Sequence, residues 1–286
     1  MLYALSVVLG PALDGGRAPA VGRGLVLAGV AGSLGAVVAY AEWRNVDRTA
    51  FLAKVSAGGL ALLVGFAGLF VSNLLALPVF LAEGVLSVGV RTALLTAASG
   101  LGLGLVALAF LLGTDRGLAY IDLRWPDRRD VGYMVAGSVV IFALLVGLGY
   151  LFEMLNLPST EHSLVTQARE NPGMLLALIP LAWLVIGPGE ELLFRNVIQK
   201  YLTDSYSRWG AVLLATAIFT GVHVVSYFSQ DTLALFLTLV RLFVLSLVLG
   251  ISYDRTDNVL VPIVIHGTFD GVQFAYLYYL LSSGLA

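Results

Sequence analysis

Residues 187–199, GPGEELLFRNVIQ, place Glu190, Glu191 and Arg195 between two strongly apolar runs. Charged groups at membrane depth are costly and usually functional. On a helix, residues four apart share a face, whereas adjacent residues point about 100° apart. The spacing therefore predicts an ion pair between Glu191 and Arg195 and leaves Glu190 free for chemistry. A salt bridge that closes the end of a membrane helix is the alternative for the Glu-Arg pair alone.

The run Gly187-Pro188-Gly189 precedes these charges. Glycine and proline interrupt helices, and proline is accepted in the first turn of a new one. We therefore expect one helix to end here and another to begin. Both carboxylates would then lie near a helix N-terminus, where the helix dipole favours negative charge.

Two further pairs have the same spacing of four residues: Phe219 with His223, and His266 with Asp270. Both lie in apolar runs, and burying an imidazole in lipid requires a polar partner. The two intramembrane histidines therefore indicate a site. The third histidine, His162, lies in a loop and is expected to be solvated.

One carboxylate, two histidines and a second carboxylate are the groups of a hydrolytic centre. Glu190 could take a proton from water while His223 orients that water. His266 and Asp270 could stabilise a tetrahedral oxyanion, or Asp270 could fix the tautomer of His266. Alternatively, Glu190, His223 and His266 could bind a zinc ion. Since the three come from separate apolar runs, their spacing leaves both possibilities open.

Composition defines the elements that must position these groups. The chain has 286 residues, of which 59% are hydrophobic, and its mean hydropathy is +0.92. These values predict an all-α, polytopic transmembrane helical bundle in contact with membrane lipid. The net charge of −2 argues against nucleic acid as a partner. Because the chain has no cysteine, disulfides and a cysteine nucleophile are excluded.

Apolar runs long enough to cross about 30 Å of hydrocarbon predict eight spans. The fifth reaches spanning length when it continues through Glu190 to about Gln199. Residues 1–13 are too short to span and are not expected to be a signal peptide. Ionisable residues inside spans occur from residue 174 onward, so residues 1–130 are predicted to be a scaffold and residues 131–286 the catalytic core. The runs are 23–41, 55–80, 92–113, 131–152, 174–187, 209–228, 232–252 and 259–282.

Basic residues are concentrated in alternate loops, at 43–54, 114–130, 200–208 and 253–258. The positive-inside rule places these loops in the cytoplasm. This topology predicts an integral membrane protein with the site toward the cytoplasmic face, and the short chain indicates a prokaryotic cell membrane.

Taken together, Glu190-Glu191-x-x-x-Arg195, Phe219-x-x-x-His223 and His266-x-x-x-Asp270 resemble the CAAX prenyl protease and bacteriocin-processing (Abi, CPBP) intramembrane protease family. The resemblance covers about residues 130–280. It implies an intramembrane endopeptidase that acts on membrane-associated, prenylated or C-terminal substrates. Glu190 would activate water with help from His223.

The resemblance also implies that His266 and the residue four positions later hold the oxyanion. The family usually has Asn at that position, where this chain has Asp270. A carboxylate repels an oxyanion unless it is protonated or paired, so we expect Asp270 to pair with Arg241, which lies near the middle of the seventh span. The alternative partners for Arg241 are Glu190 and a carboxylate of the substrate. We assign Phe219 and Arg241 to substrate binding. The family is often called a metalloprotease; we favour a metal-free mechanism, because a glutamate paired with histidine can activate water without an ion.

Two other classes remain open. Intramembrane Glu, Asp, Arg and His also form proton relays in ion-coupled transporters. A non-catalytic membrane scaffold of the same fold would carry the same apolar spans.

Overall fold

The computed structural model describes residues 47–82, 84–227, 229 and 231–285. The predicted span at 23–41 and the apolar residues 1–13 lie outside the described residues. Contacts divide the chain into residues 1–57 and residues 58–286. The predicted boundary at 130 falls inside the second of these units, which contains the whole candidate site.

Seven helices in the described residues are long and apolar enough to cross a membrane. A short helix, Ser163–Glu170, precedes the fourth of them. In chain order the helices are α1 (Arg48–Leu81), α2 (Val88–Gly113), α3 (Arg128–Met154), α4 (Ser163–Glu170), α5 (Met174–Leu202), α6 (Arg208–Val222), α7 (Thr232–Thr256) and α8 (Leu260–Ser282).

The prediction of an all-α polytopic bundle is confirmed, and residues 47–82, 84–227 and 231–285 contain no strand. Helices are required because lipid cannot hydrogen-bond an exposed backbone, so each spanning segment must satisfy its own N–H and C=O groups. Each of the seven spans predicted after residue 54 corresponds to one helix, with ends that differ by a few residues.

Helix α5 is continuous through the Gly187-Pro188-Gly189 run, so the predicted break is wrong. Ile186 and Gly187 keep helical angles, with φ −65° and ψ −63° for the first and φ −53° and ψ −54° for the second. The proline is accommodated by wide π-helical turns at Ala182–Ile186 and Leu192–Gln199 on either side. Such turns are rare in proteins, and those that occur are often found at functional sites. The two carboxylates therefore lie in the middle of a helix and not at its N-terminus.

Small residues let α5 approach its neighbours closely, as is typical of helix packing in membranes. A Cβ on Gly189 would lie 2.8 Å from the Cα of Gly100 on α2. On the opposite side, a Cβ on Gly267 of α8 would lie 2.7 Å from the ring of Trp183. These approaches fix α5 between α2 and α8.

Buried polar contacts fasten one end of the bundle. Asp127 and Asp130 form a reciprocal capping box at the start of α3. Asp130 is fully buried, lies 2.6 Å from Arg124 and accepts a hydrogen bond of 3.0 Å from Asn258. The loop before α3 is thereby held to the loop before α8, which contributes His266 to the site.

Replacing Gly100 with alanine should lower the melting temperature in detergent. The new Cβ would meet the carbonyl oxygen of Val185 at 2.9 Å, and overpacking against backbone costs about 1–3 kcal/mol. The matched control is Gly104→Ala, one turn further along α2, where a Cβ meets nothing within 4 Å. Equal melting temperatures for the two variants would contradict the close approach of α2 and α5.

Candidate active site

Four side chains from three elements converge inside the bundle. The Oε2 atom of Glu190, on α5, lies 3.9 Å from Nε2 of His223 and 3.9 Å from Nε2 of His266. Nε2 of His266 also lies 3.5 Å from Oδ2 of Asp270, one turn later on α8. Glu190 Oε2 is buried and has no hydrogen-bond partner among the described residues. The residues predicted to form a hydrolytic centre are thus brought together.

The space between Glu190, His223, His266 and Asp270 is called the catalytic gap. Glu191 points away from this gap, and its predicted ion pair with Arg195 is confirmed. Its Oε2 lies 3.0 Å from Nε of Arg195, and both side chains are fully buried. Arg195 also donates a 2.7 Å hydrogen bond to Oγ of Ser246 on α7. The pair therefore ties α5 to α7 beneath the gap.

Glu191 also orients His266. Its Oε1 accepts a 2.7 Å hydrogen bond from Nδ1 of His266. Since Arg195 keeps Glu191 in its ionised, acceptor-only form, Nδ1 carries the hydrogen. Asp270 lies on the Nε2 side of the ring, so it acts on the nitrogen that Glu191 does not hold. Spacing of four along α8 could not reveal a partner on another helix.

The backbone orients His223. Its Nδ1 donates a 2.7 Å hydrogen bond to the carbonyl oxygen of Phe219, one turn earlier. In the neutral ring this leaves the lone pair on Nε2, which faces Glu190. His223 is thus arranged to accept a hydrogen bond in the gap.

Phe219, which was assigned to substrate binding, is only 3% exposed. Its ring lies 4.4 Å from that of His223 and 6.2 Å from that of His266, measured between centroids. The guanidinium of Arg195 lies over the ring, 5.0 Å from its centroid. In this structure Phe219 packs the site residues against one another and has no face open to a substrate.

Arg241 is half-buried in α7. Its side chain has no ion pair or hydrogen bond with the described residues, so the predicted pair with Asp270 does not form in this structure. Asp270 lies near His266 instead. Arg241 is nevertheless close enough to the phenol of Tyr227 to affect it. Burial raises the pKa of Tyr227 to about 12, Asp270 and Glu190 add to that rise, and Arg241 opposes it.

Residues 157–163 lie against the end of α6 and against α7. The backbone N–H of Thr160 donates to Oγ1 of Thr238 at 2.9 Å, and that of Ser163 donates to the carbonyl of Ser226 at 2.9 Å. His162 packs edge-on against Tyr227, with 5.0 Å between ring centroids. Its Nδ1 caps α4 by accepting from the N–H of Leu164 at 3.1 Å. The expectation that His162 is solvated is therefore wrong.

The site lies near mid-depth in its helices. Glu190 is 16 residues from the start of α5 and 12 from its end, about 24 Å and 18 Å at 1.5 Å per residue. Asp270 is 10 residues from the start of α8 and 12 from its end, about 15 Å and 18 Å. The predicted position toward the cytoplasmic face stays a prediction.

A bound zinc fits these residues poorly as they are arranged. Two ligand atoms on one tetrahedral zinc, at about 2.0–2.2 Å from the metal, lie about 3.3–3.6 Å apart. Glu190 Oε2 is 3.9 Å from each imidazole. Among the described residues, no group of three or more His, Cys, Asp or Glu side chains is arranged to hold a metal ion.

These features define an integral membrane protein with a buried carboxylate–imidazole centre. Residues 172–272 match the family described as Rce1-like, Type II CAAX prenyl endopeptidase Rce1-like. The match includes all three motifs and bears out the resemblance drawn from them over that part of the chain. It supports, in general terms, a CAAX-type intramembrane endopeptidase. No curated protein and no solved structure matches the chain.

Sequence reasoning missed Ser246, Tyr227 and the contacts of His162. Ser246 is a small hydroxyl in an apolar helix, and such residues are common in membrane helices because they pack closely. Its position alone gave no reason to associate it with Arg195. His162 lies outside the predicted spans, where a polar residue normally needs no special explanation, and Tyr227 falls at the end of the predicted run 209–228, where tyrosine is common.

Replacing Glu191 with glutamine should destabilise the protein strongly. The change leaves Arg195 as a buried charge without its counter-ion and weakens the bond that orients His266; stranding such a charge costs about 3–5 kcal/mol. Melting temperature in detergent measures the loss. The matched control is Glu190→Gln on the same helix, which breaks no ion pair shorter than 3.9 Å and should melt close to the parent protein.

His162 should make stability depend on pH. Burial, with a smaller effect of His223, lowers the pKa of His162 from 6.5 to about 4, while Asp270 opposes the shift. Between these values the unfolded chain binds a proton that the folded chain does not, so stability falls as the pH falls from 6.5 toward 4. His162→Asn keeps a capping oxygen and cannot titrate. Its melting temperature should fall less over this range than that of the parent protein, and parallel curves would contradict the buried, neutral imidazole.

Proposed function

We propose that the protein is an intramembrane endopeptidase in which Glu190 activates water. The observation that carries this proposal is the position of Glu190 Oε2, buried and 3.9 Å from Nε2 of both histidines. A carboxylate that the fold leaves without a partner, beside two imidazoles, is suited to general base catalysis. The family match supports peptide-bond hydrolysis in general.

In the proposed reaction, a water molecule donates its hydrogens to Glu190 and to Nε2 of His223. Its lone pairs then face the substrate carbonyl. As the oxygen attacks the carbonyl carbon, Glu190 takes the proton and the carbonyl oxygen becomes an oxyanion. Collapse of the tetrahedral intermediate breaks the C–N bond, and Glu190 returns the proton to the leaving amine. The water is consumed and Glu190 ends the cycle ionised.

We assign oxyanion stabilisation to His266. Its Nδ1–H is bound to Glu191, and in the doubly protonated, cationic imidazole a second hydrogen on Nε2 would point into the gap where the carbonyl oxygen develops charge. A donor placed before the reaction begins is worth more than one that must reorient. Asp270 lies 3.5 Å from the same nitrogen and, as a carboxylate, holds the ring instead of binding the oxyanion itself.

Glu191 and Arg195 are positioning residues in this scheme. Both are fully buried, so neither has a face for the reacting atoms. Their contacts with His266 and Ser246 set the angle of the imidazole. The spans before residue 130 serve as scaffold: α2 contributes Gly100, which lies against α5 one residue before Glu190.

The substrate class proposed is a membrane-associated peptide or protein, prenylated or cleaved near its C-terminus, in keeping with the name of the matching family. A site about 15–24 Å from either helix end favours a substrate whose apolar anchor lies in the bilayer. We propose a prokaryotic cell membrane as its location, with the loops 114–127 and 203–207 in the cytoplasm under the positive-inside rule.

Purified protein should cleave a quenched fluorescent prenyl-cysteine peptide, and Glu190→Gln should abolish cleavage while leaving the fold intact. The loss should reach about 10²–10⁴-fold, since that is the usual contribution of a general base. The rate is measured in detergent beside the melting temperature. No cleavage by the parent protein across prenylated and unprenylated peptides would argue instead for a carrier or a binding scaffold.

Whether the protein binds zinc can be measured separately. If Glu190 activates water without a metal ion, activity should survive a chelator, and elemental analysis should find well below one metal ion per chain. Stoichiometric zinc that is lost when any two of Glu190, His223 and His266 become alanine would overturn the glutamate mechanism in favour of a metalloprotease.

A further inference from the structure

Arg241 is a charged residue that the proposed mechanism does not use. It lies nine residues after the start of α7, about 14 Å along a helix that crosses the bilayer. A cation at that depth is costly and normally faces an anion or a water-filled space. Its guanidinium has no such partner among the described residues.

Two polar contacts of α7 flank Arg241 along the helix axis. Thr238, one turn earlier, accepts from Thr160 in the segment 157–163. Ser246, five residues later, accepts from Arg195 beneath the gap. Arg241 lies between these two contacts along α7. The charges of Arg241, Asp270 and Glu190 all act on the phenol of Tyr227, which is consistent with this position.

The carboxylates of the site do not satisfy this cation. Glu191 is fully occupied by Arg195 and His266. Asp270 lies against His266, and Glu190 faces the two imidazoles. These contacts leave no carboxylate of the described site residues for Arg241, so an anion of the substrate is the partner that its position favours.

We propose that Arg241 binds a carboxylate of the substrate and thereby determines specificity; this inference rests on the proposed function. A guanidinium can hold a carboxylate with two parallel hydrogen bonds, which fixes orientation as well as position. Glu190 and Asp270 would repel the same carboxylate from the reaction centre, so it can bind only at the Arg241 side of the gap. The carboxylate is the chain end of the peptide or an Asp or Glu side chain next to the cleaved bond.

Three fluorescent prenyl-cysteine peptides distinguish these sources: one with a free C-terminal carboxylate, its carboxamide, and a carboxamide with one internal Asp. Binding is measured to full-length Glu190→Gln protein, which does not turn the peptides over, with and without Arg241→Gln. Arg241 should give about tenfold or greater preference for one carboxylate peptide over the plain carboxamide, and Arg241→Gln should remove it. Arg241→Lys should restore part of the preference, because it keeps the charge without the planar fork.

The matched control is Arg255→Gln, which removes the same charge from the same helix 14 residues further along, where Arg255 lies 3.9 Å from Asp254. It should leave the preference unchanged. A purely structural role for Arg241 predicts a lower melting temperature for Arg241→Gln; carboxylate binding predicts an unchanged or higher one, because an unpaired charge is removed.

Equal binding of the three peptides, or a preference that survives Arg241→Gln, overturns the inference, as does the absence of any measurable binding. The proposed protease activity and the proposed carboxylate site at Arg241 can be refuted independently. Cleavage by the parent protein without carboxylate preference leaves the protease and removes the role of Arg241. A preference that depends on Arg241, without cleavage of any peptide, leaves the carboxylate site and removes the protease.

Discussion

The fully buried carboxylate of Glu191 is the interaction on which the rest of the site depends. One oxygen holds Arg195 and the other holds Nδ1 of His266. An isolated ion at this depth would be prohibitively costly, and Glu191 is tolerated because Arg195 and His266 both bind it. Through Ser246 the same network reaches α7. Three helices are therefore held in one relative rotation, and that rotation decides where Glu190 points.

The contrast between two adjacent glutamates follows from this network. Glu191 binds Arg195 and His266, whereas Oε2 of Glu190 lies 3.9 Å from two imidazoles and has no hydrogen bond among the described residues. A site that leaves one carboxylate without a partner must hold it by rigid surroundings. The close packing of Gly100 against Gly189, and of Phe219 against both histidines, provides that rigidity.

Much of the fold could be predicted because a spanning helix needs a long apolar run, and seven such runs were found as helices. The ion pair of Glu191 and Arg195 could be predicted because both lie on one helix, four residues apart. Partners on different helices could not. His266 bonds to Glu191 and not to Asp270, since the rotation of α5 and α8 about their axes is set by packing that spacing does not encode. The continuity of α5 was also missed, because glycine and proline end helices in water, where a freed backbone group can bind solvent; in lipid the helix widens instead.

The wide turn at Ala182–Ile186 has a consequence for how this chain can vary. A π-helical turn holds one residue more than an α-helical turn, and one residue corresponds to about 100° of rotation. Deleting a single residue there would let the helix return to α geometry with its two halves in the same relative rotation. Deleting a residue from an α-helical turn would instead rotate one half of α5 by about 100°, roughly the angle that separates Glu190 from Glu191. The wide turn is accordingly a place where α5 can change its length by one residue, and Leu184, 72% exposed, is free to change in kind.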